Sequence, residues 1–545
     1  MNPDNQHENE NPPQPPLPEF DLGMPLTAIT TETKGPLKQR ETKASLVLLF
    51  IIVGMLLLST LLRRGSTVNT LAARADSISD AIRDCKIAFV QHQFAEPQEG
   101  KNQRLQGRIE TKTRVLEALR EIAQSSEASP GDLRRYAIAI GSLDSLSNPE
   151  ILRTVRRLYK IKPRTSKRQK TGEVAREILD GKFVLPPDQE VALWTKLYGQ
   201  EEPRLTSSDV AVMRSQIEQF ELGWFENLAL ARLYERGGLA REKQAIQDRA
   251  LYSANMLTRL FMLQNLAVFC GFVAWCFIGL RLRRALQITT PSVPSAPEDA
   301  PLRLSYTIRV QTFALYLGLP LLLSSLIPFL RVFWGRPTPV MAVRIDGFLY
   351  LLESVLILGC CVFALRRLYE REGKGESVGL SLLLSQLGFR APQPLMLVYR
   401  GICAYALILL PMALAAILSS VVFRNYTTPA HPLSLSFMLL KSPWDWVLLF
   451  VQTAVMAPLV EETLFRGVLY PALREKWGVW QGIALTSAVF SILHPNMPAG
   501  FLPLFVLGAG MALLYEKSRS LLPAMVLHAI NNGFILFMQA MIMTK

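Results

Sequence analysis

The chain has 545 residues, of which 50% are hydrophobic and 19% charged, with a mean hydropathy of +0.21. Soluble domains carry roughly 25% charged residues, so neither a wholly soluble protein nor a disordered one fits. The net charge of +14 comes largely from short Lys/Arg clusters at the edges of apolar runs, where they act as membrane topology determinants and not as a stripe for nucleic acid.

Residues 1–42 are polar and rich in proline (Pro12, Pro13, Pro15, Pro16, Pro18) and are expected to form a disordered tail, which argues against a cleaved signal peptide. Residues 43–64 hold the first apolar run, Ala44 to Leu62, bracketed by Lys43 and Arg63. It is long enough to cross a hydrocarbon layer of roughly 30 Å and reads as an anchor. From 65 to 255 charges become common and apolar residues periodic, as in a soluble helical domain. Within it, Gly223 to Ala245 resembles one tetratricopeptide-type helix–turn–helix, with Trp224, Leu228, Ala231 and Tyr234 at core-like spacings. A helical bundle with a Gly-Gly turn is the plainer reading. This domain is the expected place for a protein partner, and its single cysteine, Cys85, is expected to be free.

From 256 onward apolar runs fall near 257–280, 311–330, 347–365, 395–421, 446–465, 480–494, 501–515 and 521–541. With the anchor, they predict an all-α, polytopic membrane bundle of about nine spans with an inserted soluble helical domain. The spans divide into 256–385 and a C-terminal unit, 386–545. Six cysteines show no CxxC, and five lie in apolar stretches, so no disulfide framework is expected. The loop after Leu280 carries Arg281, Arg283, Arg284, Arg303 and Arg309, and that after Leu365 carries Arg366, Arg367, Arg371, Lys374 and Arg390. The alternate loops are poorer in cations, which puts the richer ones in the cytoplasm and residues 65–255 outside.

An ionisable side chain inside a span costs about 2.5–3.5 kcal/mol on insertion scales, so those retained there are informative. Three late runs carry them: APLVEETLFRG with Glu461, Glu462 and Arg466; FSILHP with Phe490 and His494; and HAINN with His528 and Asn532. Glu462 and Arg466 are helical i,i+4 neighbours and are expected to pair. Glu461 points about 100° away from that face, free for general-base work. His528 and Asn532 share the same spacing and are expected to project together as oxyanion donors. Phe490, one turn before His494, is placed to fix its ring. The stretch Gly375-Glu376-Ser377-Val378-Gly379 matches the GxSxG elbow of serine hydrolases, but it follows a charged loop instead of a strand and is set aside.

EExxxR, FxxxH and HxxxN in this order resemble the CPBP family (CaaX proteases and bacteriocin-processing enzymes, also called Abi). Leu387-Gly388-Phe389-Arg390 resembles the entry to that family's wider core. The resemblance implies an intramembrane endopeptidase in which Glu461 activates water with help from His494. It makes His528 and Asn532 the oxyanion site, with Glu462, Arg466 and Phe490 completing the motifs. It also implies peptide or lipidated protein substrates, contact with membrane lipids, and a multi-pass protein of the bacterial plasma membrane. The family has been described both with a divalent metal such as zinc and without one. Glu461, His494 and His528 are the candidate ligands, although no HExxH helix is present. Two other readings compete: a non-catalytic scaffold or immunity protein that keeps the motifs as a polar clasp, and a proton-coupled transporter.

Overall fold

A computed structural model describes residues 67–93, 113, 115–124, 129–144, 150–157, 185–199, 204–285, 309–314, 317, 339–370, 379–424, 433–440, 442–494 and 497–543. The tail, the anchor, most of the 311–330 run and most of the GxSxG stretch lie outside these residues. Among the described residues there is no strand.

The N-terminal part is built from short helices: α1 (Thr67–Gln93), α2 (Pro130–Ala139), α3 (Glu150–Arg157), α4 (Pro187–Tyr198), α5 (Ser207–Gln219) and α6 (Trp224–Gly237). Their starts are written locally. Ser129 and Thr206 each accept from the backbone N–H three residues on, and Asp132 and Asp209 return the bond, so both α2 and α5 open with capping boxes. Trp194, Phe220, Trp224 and Phe225 are buried in a common core. The Arg134 guanidinium is also buried there, forked onto Glu190 at 2.6 and 2.8 Å and stacked over the Phe220 ring at 3.9 Å. Cys85 is wholly buried, and desolvation pushes its thiol up.

Gly238 ends α6, and the chain turns at once into α7 (Ala240–Ala285). This helix has 46 residues, about 69 Å at the usual rise, and passes from the polar domain into the apolar region without a break. The domain edge near 255 therefore falls inside one continuous helix. The Gly223–Ala245 segment is accordingly a helix, a tight turn and the start of α7.

The apolar part continues with α8 (Pro339–Tyr369), α9 (Leu380–Leu387), α10 (Pro394–Val422), α11 (Pro443–Trp477), α12 (Val479–Leu493), α13 (Phe501–Ser518) and α14 (Leu522–Met543). Six of the described helices, α7, α8, α10, α11, α13 and α14, are long and apolar enough to cross a membrane. The predicted 480–494 run is the 15-residue α12, too short for that measure. The other two of the nine predicted runs, the anchor and 311–330, lie outside or almost outside the described residues. The protein is thus an all-α, polytopic membrane protein. Leu414, Ile417 and Val421 on α10 and Phe348, Leu352 and Val355 on α8 are more than half exposed, as side chains facing lipid should be. Of the six long helices α11 is the most enclosed.

The polar domain does not stand apart from this bundle. Met538 and Ile542, near the end of α14, belong to the same apolar core as α1 and α6. Ser79 donates to the Gln539 side chain at 3.0 Å, and the buried Lys86 ammonium donates to Ser253 Oγ at 2.6 Å and to the Met541 carbonyl at 2.9 Å. The last turn of a helix leaves carbonyls without partners and is the negative end of its dipole, so Lys86 caps α14.

Candidate active site

Helix α11 brings two glutamates into the bundle by an irregular route. Residues Val451–Met456 and Thr463–Leu469 are π-helical, and Glu461 and Glu462 lie on the six-residue α-helical piece, Ala457–Glu462, between them. Proline explains both widened stretches. Ala457 N–H bonds the Gln452 carbonyl, five residues back, and the next residue, Pro458, has no N–H to give. The Thr453 carbonyl thereby loses its donor within the helix, and Asn532 Nδ2 supplies one at 2.8 Å. Farther along, Tyr470 N–H bonds the Phe465 carbonyl, Pro471 has no N–H for the Gly467 carbonyl four residues back, and Arg309 Nη1 donates to that carbonyl at 2.8 Å. Gly467 also allows α9 to come close, since a Cβ there would sit 2.7 Å from the Leu387 carbonyl oxygen.

His494 is placed by a different proline. The residue before a proline is pushed out of the helical region, so His494, followed by Pro495, ends α12 in an extended conformation. Its Nδ1 turns back to the Phe490 carbonyl at 2.7 Å, one of the carbonyls left open at the helix end. A carbonyl only accepts, so Nδ1 carries the proton and Nε2 is turned toward Glu461. On α14, His528 Nδ1 lies 2.8 Å from Glu462 Oε1, which also accepts from Arg466 Nη1 at 2.8 Å. Here too the Nδ1 proton is committed to an acceptor and Nε2 faces Glu461.

The result is a centre with one carboxylate locked and one open. Glu462 and Arg466 are fully buried and paired, and Arg466 Nη2 is further held by the Gly508 carbonyl of α13 at 3.0 Å. Glu461 Oε2 makes no hydrogen bond among the described residues; it stands 3.7 Å from His494 Nε2 and 3.9 Å from His528 Nε2. Glu461 and His494 are 22% and 27% exposed, against 3% for His528, so the open side of the centre is the Glu461–His494 edge. Phe490 is the packing hub. It is fully buried, with its ring centroid 4.3 Å from that of His494 and 6.0 Å from that of His528, and the Arg466 guanidinium lies 4.8 Å over its face.

The structure therefore brings Glu461, His494 and His528 together around one point, with Glu462, Arg466 and Phe490 behind them. Asn532 is drawn elsewhere: one amide hydrogen is spent on Thr453, and its Oδ1 accepts from Asn531 Nδ2 at 3.3 Å. Sequence reading missed the second contact of Glu462, the part played by the Thr453 carbonyl, and Asn531. Pro458, inside a run otherwise fit for a span, was the available signal for the second of these. As for a metal, no group of three or more His, Cys, Asp and Glu among the described residues is positioned to hold one. The two Nε2 atoms stand 3.7 and 3.9 Å from Glu461 Oε2, farther than the roughly 3.4 Å between the ligands of a tetrahedral zinc, so the trio does not close on an ion as it stands.

Residues 442–534, which contain all three motifs, match the family model of the Type II CAAX prenyl endopeptidase Rce1-like proteins. The chain is 22% identical over 208 residues to "Putative membrane peptidase YdiL" of Bacillus subtilis, a stretch covering 38% of this chain and 77% of that protein. It is 32% identical over 104 residues to an "Uncharacterized 24.3 kDa protein" of Escherichia coli, covering 18% of this chain and 48% of that one. No solved structure matches. The C-terminal bundle thus resembles a family of membrane peptidases, and the helices before it lie outside the family match.

Proposed function

We propose that the protein is an intramembrane endopeptidase that hydrolyses peptide bonds with water activated by Glu461 and His494. The observation that carries this reading is the division of labour between adjacent carboxylates: Glu462 Oε1 is held by Arg466 and His528 at 2.8 Å each, while Glu461 Oε2 makes no hydrogen bond among the described residues and faces two imidazole nitrogens at 3.7 and 3.9 Å.

In the proposed reaction a water sits at the exposed Glu461–His494 edge. It gives one proton to Glu461, and the His494 Nε2 lone pair holds the other hydrogen and aims the oxygen. The oxygen attacks the substrate carbonyl carbon, and the carbonyl electrons move to the oxygen. His528 donates to that oxyanion from Nε2, which requires both its ring nitrogens to be protonated because Nδ1–H is already committed to Glu462. When the tetrahedral adduct collapses, the C–N bond breaks and the proton on Glu461 passes to the leaving amine.

The substrate class in this reading is a peptide or lipidated protein segment delivered from the bilayer, in a bacterial plasma membrane, with the Arg474–Lys476 and Lys517–Arg519 turns on the cytoplasmic side. The test is hydrolysis of an internally quenched peptide by the purified protein in nonionic detergent. Glu461→Gln is expected to lower kcat/KM by about 10²–10⁴ with an unchanged thermal transition. Glu462→Gln is expected to lower the thermal transition itself, since it strips a buried arginine of its partner. Hydrolysis that survives Glu461→Gln undiminished sinks the proposal.

A further inference from the structure

The polar domain contains a cavity of its own, apart from the bundle's glutamates. Between α1, α6 and α7 lies a cavity of about 200 Å³ lined by Phe89, Asn227, Arg232, Glu235, Lys243 and Gln247, among others. Three of its features fix what it can take. First, its ion balance is uneven. Both oxygens of Glu235 are already used, by Arg232 Nη1 and Lys243 Nζ at 2.7 Å each, which leaves the lining with two cations and one anion. Second, Asn227 is 3% exposed, and its Nδ2 has no acceptor among the described residues. A buried amide donor without an acceptor costs on the order of 1–3 kcal/mol, and Asn227 is one of the residues that line the cavity. Third, the volume is below the roughly 300–1,000 Å³ typical of sites for whole small molecules, so it admits one side-chain-sized group.

We propose that this cavity binds a single carboxylate carried by an acidic peptide segment. The Arg232 and Lys243 pair supplies the unbalanced positive charge, Asn227 supplies the missing donor, and the Phe89 ring covers the aliphatic part of the side chain. Glu235 and Lys243 are 44% and 30% exposed and form the mouth, so the segment is reached from solvent and not from the bilayer. Occupancy would be felt beyond the cavity. Phe89 packs edge-on against Trp224 at 5.5 Å, and Lys86, which caps α14, lies 5.9 Å from the same indole.

The experiment is fluorescence anisotropy with the full-length protein in nonionic detergent and four labelled alanine-based pentapeptides. One has a central Glu and an amidated end, one has no acid but a free C-terminal carboxylate, one has both, and one has neither. Unlabelled glutamate is the competitor. Saturable binding is expected for peptides with a carboxylate and not for the fully neutral one. Binding should weaken at least tenfold in Arg232→Gln and in Asn227→Asp, which is nearly isosteric but replaces the donor with an anion. Lys196→Gln, outside the cavity, should leave it unchanged. Comparing the first two peptides separates a side-chain carboxylate from a chain end, and displacement by low glutamate concentrations would assign the site to a free amino acid, overturning the peptide. If Asn227→Asp fails to fold, Lys243→Met replaces it. Absence of saturable binding, or binding that persists in both cavity variants, overturns the site.

Discussion

Glu461 and Glu462 differ by one position in the chain and by their whole surroundings in the fold. One step of 100° around a helix separates a carboxylate held by Arg466 and His528 from one whose Oε2 stands 3.7 and 3.9 Å from two imidazole nitrogens. The same economy appears at Phe490, whose ring touches both histidines and the arginine. Phe490→Ala should cost about 3–5 kcal/mol of stability by opening a cavity at this hub. It should also lower hydrolysis more than it lowers KM-type binding, because His494 loses its backing. Thermal unfolding in detergent and a kcat-against-KM comparison check the two effects; an unchanged kcat in a folded variant would show that the ring packs without positioning anything.

At the scale of the element, α11 shows how proline turns a span into a scaffold for polar contacts. Pro458 and Pro471 each remove a backbone donor, and the carbonyls released are taken by Asn532 and Arg309 from other segments. Asn532→Ala should therefore leave the Thr453 carbonyl unsatisfied and cost about 1–3 kcal/mol, quite apart from any loss of oxyanion binding. Comparing stability with activity in Asn532→Ala and Asn532→Asp separates the roles. If neither variant is less stable, the Thr453 contact carries no weight. The element was only partly legible in advance. The apolar run, the Glu–Arg spacing and the helix end at His494-Pro495 follow from local sequence. The π-helical turns depend on which neighbouring segment can supply the missing donors, and no local pattern contains that information.

At the scale of the whole molecule, the polar domain and the bundle are joined by one long helix, α7, and by the capping of α14 by α1. Lys86 sits at that junction, and burial pulls its ammonium down to about 7, against about 10.4 for an unfolded lysine. The sign follows: between these values the unfolded chain binds the extra proton, so stability rises with pH from about 7 to 10, and below 7 the full cost of the buried charge applies. Thermal midpoints of the wild type across that range should rise relative to those of Lys86→Met, and parallel curves would remove Lys86 as the cause. The orientation of the domain has its own test. Cys85 is buried and should not react with a membrane-impermeant thiol reagent on either side, whereas Val212→Cys, at a position 57% exposed, should label in intact cells if residues 65–255 lie outside. Labelling only after lysis would reverse the topology.

Composition, apolar run lengths and charge clusters were enough, by themselves, to establish an all-α membrane protein with a polar helical insertion. Three short motifs were enough to point to the membrane peptidases whose family model its C-terminal part matches. These are local properties, set by transfer free energy and helical spacing along one segment at a time. The sequence did not determine that Glu462 would hold His528 as well as Arg466, that Asn532 would be spent partly on a carbonyl freed by Pro458, or that a lysine of the polar domain would cap the last helix of the bundle. Each of those pairs groups tens to hundreds of residues apart, and which buried donor meets which acceptor is decided only when the packed helices leave a single way to satisfy both.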